Sequence, residues 1–174
     1  MIKYFLAVLS LFAGLDVVAQ ECSNPSSDST PFSRYRVSPN GLVTGSKTGL
    51  IWRRCSEGQF FQGNSCKGEA KKMSLADAQV WIKQLNQGPG PARQEFADWR
   101  LPTQDELLSL ASSACTDPAI NLKAFPATIA APYLTSTTGS GGAGGLWIVD
   151  FKDGFDGLID QRREQFVRLV RKQP

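Results

Sequence analysis

The chain contains no histidine, so any chemistry must come from carboxylates, arginines, lysines or cysteines. That removes Ser-His-Asp and Cys-His nucleophilic catalysis and every histidine-ligated metal site. Glycoside hydrolysis by two carboxylates stays open, and Asp105 with Glu106 is the adjacent pair that could attempt it. Both fall in the first turn of an expected helix, where the helix dipole and capping stabilise acids, so capping is their expected role. Asp98 and Arg100 flank Trp99 and share one side of an extended segment, which suits ion pairs inside the fold. Asp150, Asp153 and Asp156 recur at every third position around Asp153-Gly154 and Asp156-Gly157. Oxygen ligands on a Gly-rich turn suit calcium, but the spacing is not that of an EF-hand loop, and a solvated hairpin turn is the favoured reading.

Cations and aromatics are the other candidates. Arg162, Arg163, Arg168, Arg171 and Lys172 form a basic run near the C-terminus. Sulfated or carboxylated polysaccharides would pair with such arginines through charge-assisted, often bidentate hydrogen bonds. Arg168 lies between Phe166 and Val170 on one side of an expected strand, where it could serve as an internal strut. Lys67, Lys71 and Lys72 make a second, smaller cluster. Trp52, Trp81, Trp99 and Trp147 sit within motifs of regular elements and are expected in the core. Phe60, Phe61 and Tyr133 sit at loop positions and are the better candidates for ligand contact. Gly139–Gly145 lacks the Lys-Ser/Thr ending of a phosphate loop and opens no helix.

The N-terminus dictates where this chemistry would take place. Lys3 supplies a positive start, Tyr4–Leu15 an apolar run, and Val17-Val18-Ala19 the small residues of a cleavage site. Residues 1–19 therefore read as a secretory signal peptide. The apolar run falls short of the about 20 residues that span a bilayer, so no stable membrane insertion is expected. The formal charge of +3 is mild, and with export it argues against a nucleic-acid partner.

All four cysteines follow the signal. In an oxidising compartment they read as two disulfides, with three pairings open. The local pair Cys55–Cys66 closes the short polar loop Ser56–Ser65, and Cys22–Cys115 would then tie the N-terminal arm to the end of the second helix. A loop of the Cys55–Cys66 size contributes about 2–3 kcal/mol in the chain-entropy account. No Cys-x-x-Cys unit exists, so neither a cysteine metal site nor a cofactor is expected.

The elements that must position these residues are legible in patches. Residues 20–33 are Ser-, Asn- and Pro-rich and read as a flexible arm, and 34–174 as one domain. Tyr35–Val37 and Leu42–Thr44 are short strands around the turn Pro39-Asn40-Gly41, and Leu50–Arg53 is a third. Met73–Asn86 is the first helix, capped by Ser74 with Asp77. Its apolar stripe is Leu75, Ala78, Trp81, Ile82 and Leu85, and Gln87-Gly88-Pro89-Gly90-Pro91 stops it. Pro102 precedes Thr103 and Glu106, which stand in the relation of a capping box and open a second helix over Thr103–Ser113. Tyr133–Ser136, Leu146–Phe151 and Gln165–Arg171 read as later strands, with the Gly-rich Thr137–Gly145 as a mobile connection. Helices early and strands late indicate an α+β class.

Asp98-Trp99-Arg100-Leu101-Pro102-Thr103 followed by Glu106-Leu107 resembles the core motif of a bacterial family. That family is named after the C-terminal domain of the Legionella collagen-like adhesin. Further matches run in order. They are Thr48-Gly49-Leu50-Ile51-Trp52, Cys55 with Cys66, the helix around Ala76–Leu85, Pro118-Ala119-Ile120-Asn121, Ala124-Phe125-Pro126, Leu146–Phe151, and Val167-Arg168-Leu169-Val170-Arg171. Together they span about Val43 to Arg171. The resemblance implies a C-type-lectin-like fold: two helices packed on twisted antiparallel strands, N- and C-terminal strands paired, and long surface loops. It also implies an adhesin-like role, and the Legionella member is associated with sulfated glycans. The expected function is thus an exported, non-enzymatic module, periplasmic or at the bacterial surface, that binds a glycan or a protein. A periplasmic inhibitor or assembly factor and a carboxylate-based glycan hydrolase are the alternatives. The chain has no collagen-like repeat, so multivalent display would require self-assembly into a homo-oligomer or a partner.

Overall fold

The computed structural model describes residues 19–23, 28–88, 96–139 and 144–173. The signal sequence up to Val18, the Pro89–Pro91 stop and positions 140–143 of the Gly-rich connection lie outside the described residues. In chain order the elements are β1 (Glu21–Cys22), β2 (Tyr35–Val37), β3 (Leu42–Gly45), β4 (Leu50–Arg53), β5 (Phe60–Gln62), β6 (Ser65–Lys67), β7 (Lys72–Met73), α1 (Leu75–Gln87), α2 (Gln104–Leu108), β8 (Cys115–Thr116), β9 (Pro132–Thr138), β10 (Gly145–Asp150), β11 (Phe155–Asp160), β12 (Gln165–Phe166) and β13 (Val170–Lys172). The fold is α+β. A five-stranded sheet runs β11-β10-β9-β12-β7 and a four-stranded sheet β13-β4-β3-β2, with β1-β8 and β5-β6 as two small pairs. The last strand pairs with an early one: Val170 stands opposite Trp52.

Side chains alternate across these strands and feed two cores. Val43, Trp52, Val170, Tyr133, Val149 and Phe151 pack with Leu107 and Leu110 from the α2 region. Their neighbours Leu42, Leu169, Leu134 and Ile148 pack with Ala78 and Leu85 of α1 and with Trp99. Ser74 caps α1 by accepting from the Asp77 amide. The Thr103 cap and its Glu106 return bond are both present at α2. Arg100 exchanges two backbone bonds with Val170, which lays the Asp98–Leu101 segment beside β13.

Three expectations change. The second helix ends at Leu108 rather than Ser113, because Ala111 bridges Ile120 and the Ser112 hydroxyl reaches Asp28. The strand expected over Gln165–Arg171 is two strands. Val167–Leu169 crosses from the five-stranded to the four-stranded sheet, giving carbonyls to the Glu57 and Arg53 amides on the way. The arm is docked over its described part. Gln20 donates to the Pro118 and Ile120 carbonyls, Asn121 donates to the Thr30 carbonyl, and Thr30 is buried. Among the described residues no helix is long and apolar enough to cross a membrane.

Candidate functional site

A cleft of about 430 Å³ opens between the β5–β6 hairpin, the β2–β3 turn and α1. It is lined by Asn40 and Gly41, by Arg53 and the segment Cys55–Phe61 apart from Ser56, and by Lys71, Trp81 and Leu85. Two strands of three residues are marginal by themselves. Here the Cys55–Cys66 disulfide joins the hairpin to the end of β4, and Phe61 pairs directly with Cys66. Gly41 has φ +80°, and a Cβ there would lie 2.6 Å from that of Phe61, so a glycine is needed for the hairpin to close on the turn. From behind, the Arg54 guanidinium lies 4.6 Å from the Phe61 ring centre and donates to the Ala124 and Lys123 carbonyls. Burial lowers the Arg54 pKa from its ordinary value.

Arg53 and Glu57 on the polar floor are committed to one another, whereas the Gln59 side-chain oxygen, buried in the same lining, has no hydrogen-bond partner among the described residues. Arg53 Nη1 donates to both carboxylate oxygens of Glu57 at 2.9 Å, and Trp81 Nε1 donates to Glu57 Oε2 at 2.8 Å. Glu57 is buried, and its backbone amide and carbonyl are held by Val167 and Lys71. Ser56 Oγ shares a hydrogen bond of 2.8 Å with the Tyr133 hydroxyl beneath. The open parts are Phe60, 56% exposed, and Lys71, whose ammonium stands 5.9 Å from the Trp81 ring centre. An exposed aromatic beside an amide and an ammonium can take a ring with one apolar face and a polar edge.

The sequence candidates divide sharply. Phe60 and Phe61 meet in this cleft. Tyr133 does not: it lies in β9, has no exposed surface, and serves the core and Ser56. The basic run is dispersed. Arg168 is fully buried, as a strut should be, and donates to the Arg53 and Arg54 carbonyls and to Thr128 at 2.8 Å. Arg171 is buried as well, stacked on Phe96 at 3.8 Å and donating to Asp98 at 2.7 Å. Arg162 and Arg163 lie in the turn after β11, where Arg162 grips Asp160 and holds its carboxyl down at about 2. Lys172 ends β13 of the other sheet.

The acids follow their expected structural uses. Glu106 closes the capping box and pairs with Arg100 at 2.7 Å. Asp150 and Asp153 each accept from a backbone amide of their own turn, and Asp156 accepts from Gln104. No group of three or more acids or cysteines placed to hold a metal ion occurs among the described residues. Sequence reasoning missed Arg53, Glu57, Lys71 and Trp81 as cleft residues. The spacing of Arg53 and Glu57 was a usable signal, but it counts as a pair only once the chain turns after β4.

Comparison with curated proteins gives no match. The family model described as the Lcl C-terminal domain matches residues 41–171, which includes both helices, the hairpin and every residue lining the cleft except Asn40. The chain belongs to the Lcl C-terminal domain family.

Proposed function

We propose that this protein is an exported, adhesin-like, non-enzymatic binding module that holds a surface glycan in the cleft between the β5–β6 hairpin and α1. The observation that carries this is the convergence of exposed Phe60, Asn40 and Lys71 on a disulfide-fixed concavity. Family membership supports the adhesin-like role, since the family takes its name from a collagen-like adhesin. Two disulfides suit an oxidising compartment. A C-type-lectin-like frame is supported by two helices on strands that are antiparallel except for the β9–β12 pair, and by the pairing of β4 with β13. Binding is favoured over hydrolysis because carboxylate catalysis uses two acids, and Glu57 is the single acid among the described residues lining the cleft.

A glycan array probed with the oxidised protein tests the reading. Binding should appear in the wild type and vanish in Asn40→Trp, which fills the cleft from an exposed rim position without altering thermal stability. An array on which the wild type retains nothing would sink it. A protein partner is the second reading, favoured by Phe155 and Leu158, 71% and 57% exposed on the edge strand β11. Capture of an envelope protein that is lost in Phe155→Asp, with no glycan signal, would favour that alternative.

A further inference from the structure

We infer that the cleft recognises a single pyranose ring by its apolar face, stacked on Phe60, and that negative charge on the sugar contributes little. This rests on the glycan reading above and narrows its chemistry. The argument begins with the cations. Arg53 is neutralised by Glu57, which it grips through both carboxylate oxygens. The Arg54 guanidinium is turned away beneath Phe61 and spends its donors on backbone carbonyls. Lys71 is then the one cation lining the cleft, among the described residues, that no acid holds. Exposed Lys67 stands opposite Phe60 in the hairpin and is not among the residues lining the cleft. A polyanion gains its affinity by meeting several unneutralised cations at once, with a correspondingly steep salt dependence. This cleft offers one.

The aromatic side of the ledger points the other way. Covering a phenylalanine side chain is favourable, and Phe60 stands exposed on a hairpin that the Cys55–Cys66 disulfide ties to the chain just after β4. One side of its ring is fixed by the Gly68 turn, where a Cβ would lie 3.4 Å from the ring. The other is free to receive a flat apolar surface. The C–H face of a pyranose is such a surface, and its hydroxyls would meet the Asn40 amide and the Lys71 ammonium. A volume of about 430 Å³ is near the small end of the usual range of ligand sites, about 300–1,000 Å³, and suits a mono- or disaccharide.

Trp81 lines the cleft and gives a fluorescence readout. The oxidised full-length protein is titrated with maltose, cellobiose and chitobiose in one arm and heparin in the other, at low and high salt. The expected result is saturable quenching by a neutral disaccharide with less than about a twofold change in affinity across the salt range. Phe60→Ala should weaken that binding by about tenfold, as loss of an aromatic stacking contact does, while Lys71→Gln changes it by less than about threefold. Binding confined to heparin, steeply salt-dependent and indifferent to Phe60→Ala, would overturn the inference while leaving a glycan ligand standing. Failure of every saccharide in both arms would remove the glycan reading beneath it as well.

Discussion

Cys22–Cys115 and Cys55–Cys66 each fasten a pair of strands only two or three residues long, yet their surroundings differ in nearly every respect. Around Cys22 the polar side chains face inward. Gln20, Ser29 and Asn121 bond to carbonyls across the seam, and Ser112 bonds to Asp28, so the arm and the body satisfy one another. Around Cys55 the polar groups close among themselves beneath the surface, and the hairpin presents Phe60 outward. The bonds themselves are placed oppositely: Cys22 is exposed, whereas Cys55 and Cys66 are buried, each 6% exposed. A covalent tie whose neighbours are saturated does structural work. One that holds an uncovered aromatic in place prepares a surface for something else.

That contrast can be broken by cutting each tie in turn. The Cys22→Ser, Cys115→Ser double variant opens a loop with a separation of 93 residues. It should lose about 4.5 kcal/mol of stability by chain entropy, the largest effect anticipated for any change discussed, and yet keep the saccharide binding proposed above. Urea unfolding beside the fluorescence titration reads both quantities. A mild reductant should also open this exposed bond before the buried one, as thiol labelling followed by mass mapping would record. The Cys55→Ser, Cys66→Ser variant opens a separation of only 11 residues and should lose about 3 kcal/mol, but with it the binding. If the first variant loses binding, or the second keeps it, the division between a structural tie and a presenting tie fails.

Much of this frame could be read from residue order. Ser74 with Asp77 and Thr103 with Glu106 are local devices, complete within four residues, and both stand in the structure as caps. The strands Tyr35–Val37 and Leu50–Arg53 were announced by turn residues and alternation. Tyr133 opens an expected strand yet was given a loop residue's role; its burial follows only once β9 lies between β10 and β12 in the middle of the sheet. The basic run failed for the same reason. Arg162, Arg163, Arg168, Arg171 and Lys172 are one basic run in the sequence, but the chain changes sheets at Val167–Leu169, and Arg168 turns inward against Phe125 and Tyr133, the strut position the sequence also allowed. The cleft was half legible. Phe60 and Phe61 were singled out for contact, though they stand in strand β5 rather than a loop and Phe61 is half-buried, whereas the Glu57 carboxylate held by Arg53 and Trp81 exists only after α1 docks.

The junction at Pro102–Glu106 is a third clamp and carries no covalent bond, so it sharpens the comparison with the smallest expected effect. Thr103→Ala removes the oxygen that accepts from the Glu106 amide, at a cost of about 1 kcal/mol. Glu106 itself has a pH signature. Its carboxyl is held below the ordinary value of 4.5, first by the hydrogen bond from Arg100 and further by those from Thr103. A carboxylate depressed in the folded state stabilises the fold above its unfolded value and loses that contribution as pH falls through the folded one. Arg100 is 41% exposed, so solvent screens the pair and its contribution is modest. Glu106→Gln should therefore be less stable than the wild type at pH 7, with the gap narrowing below about pH 4.5. Thr103→Ala should keep more of its deficit at low pH, because a hydroxyl does not titrate. Matched denaturant curves at pH 7 and pH 3 separate the two. A Glu106→Gln deficit that stays constant with pH would mean the junction is held by neutral capping bonds, with no net contribution from the Arg100 pair.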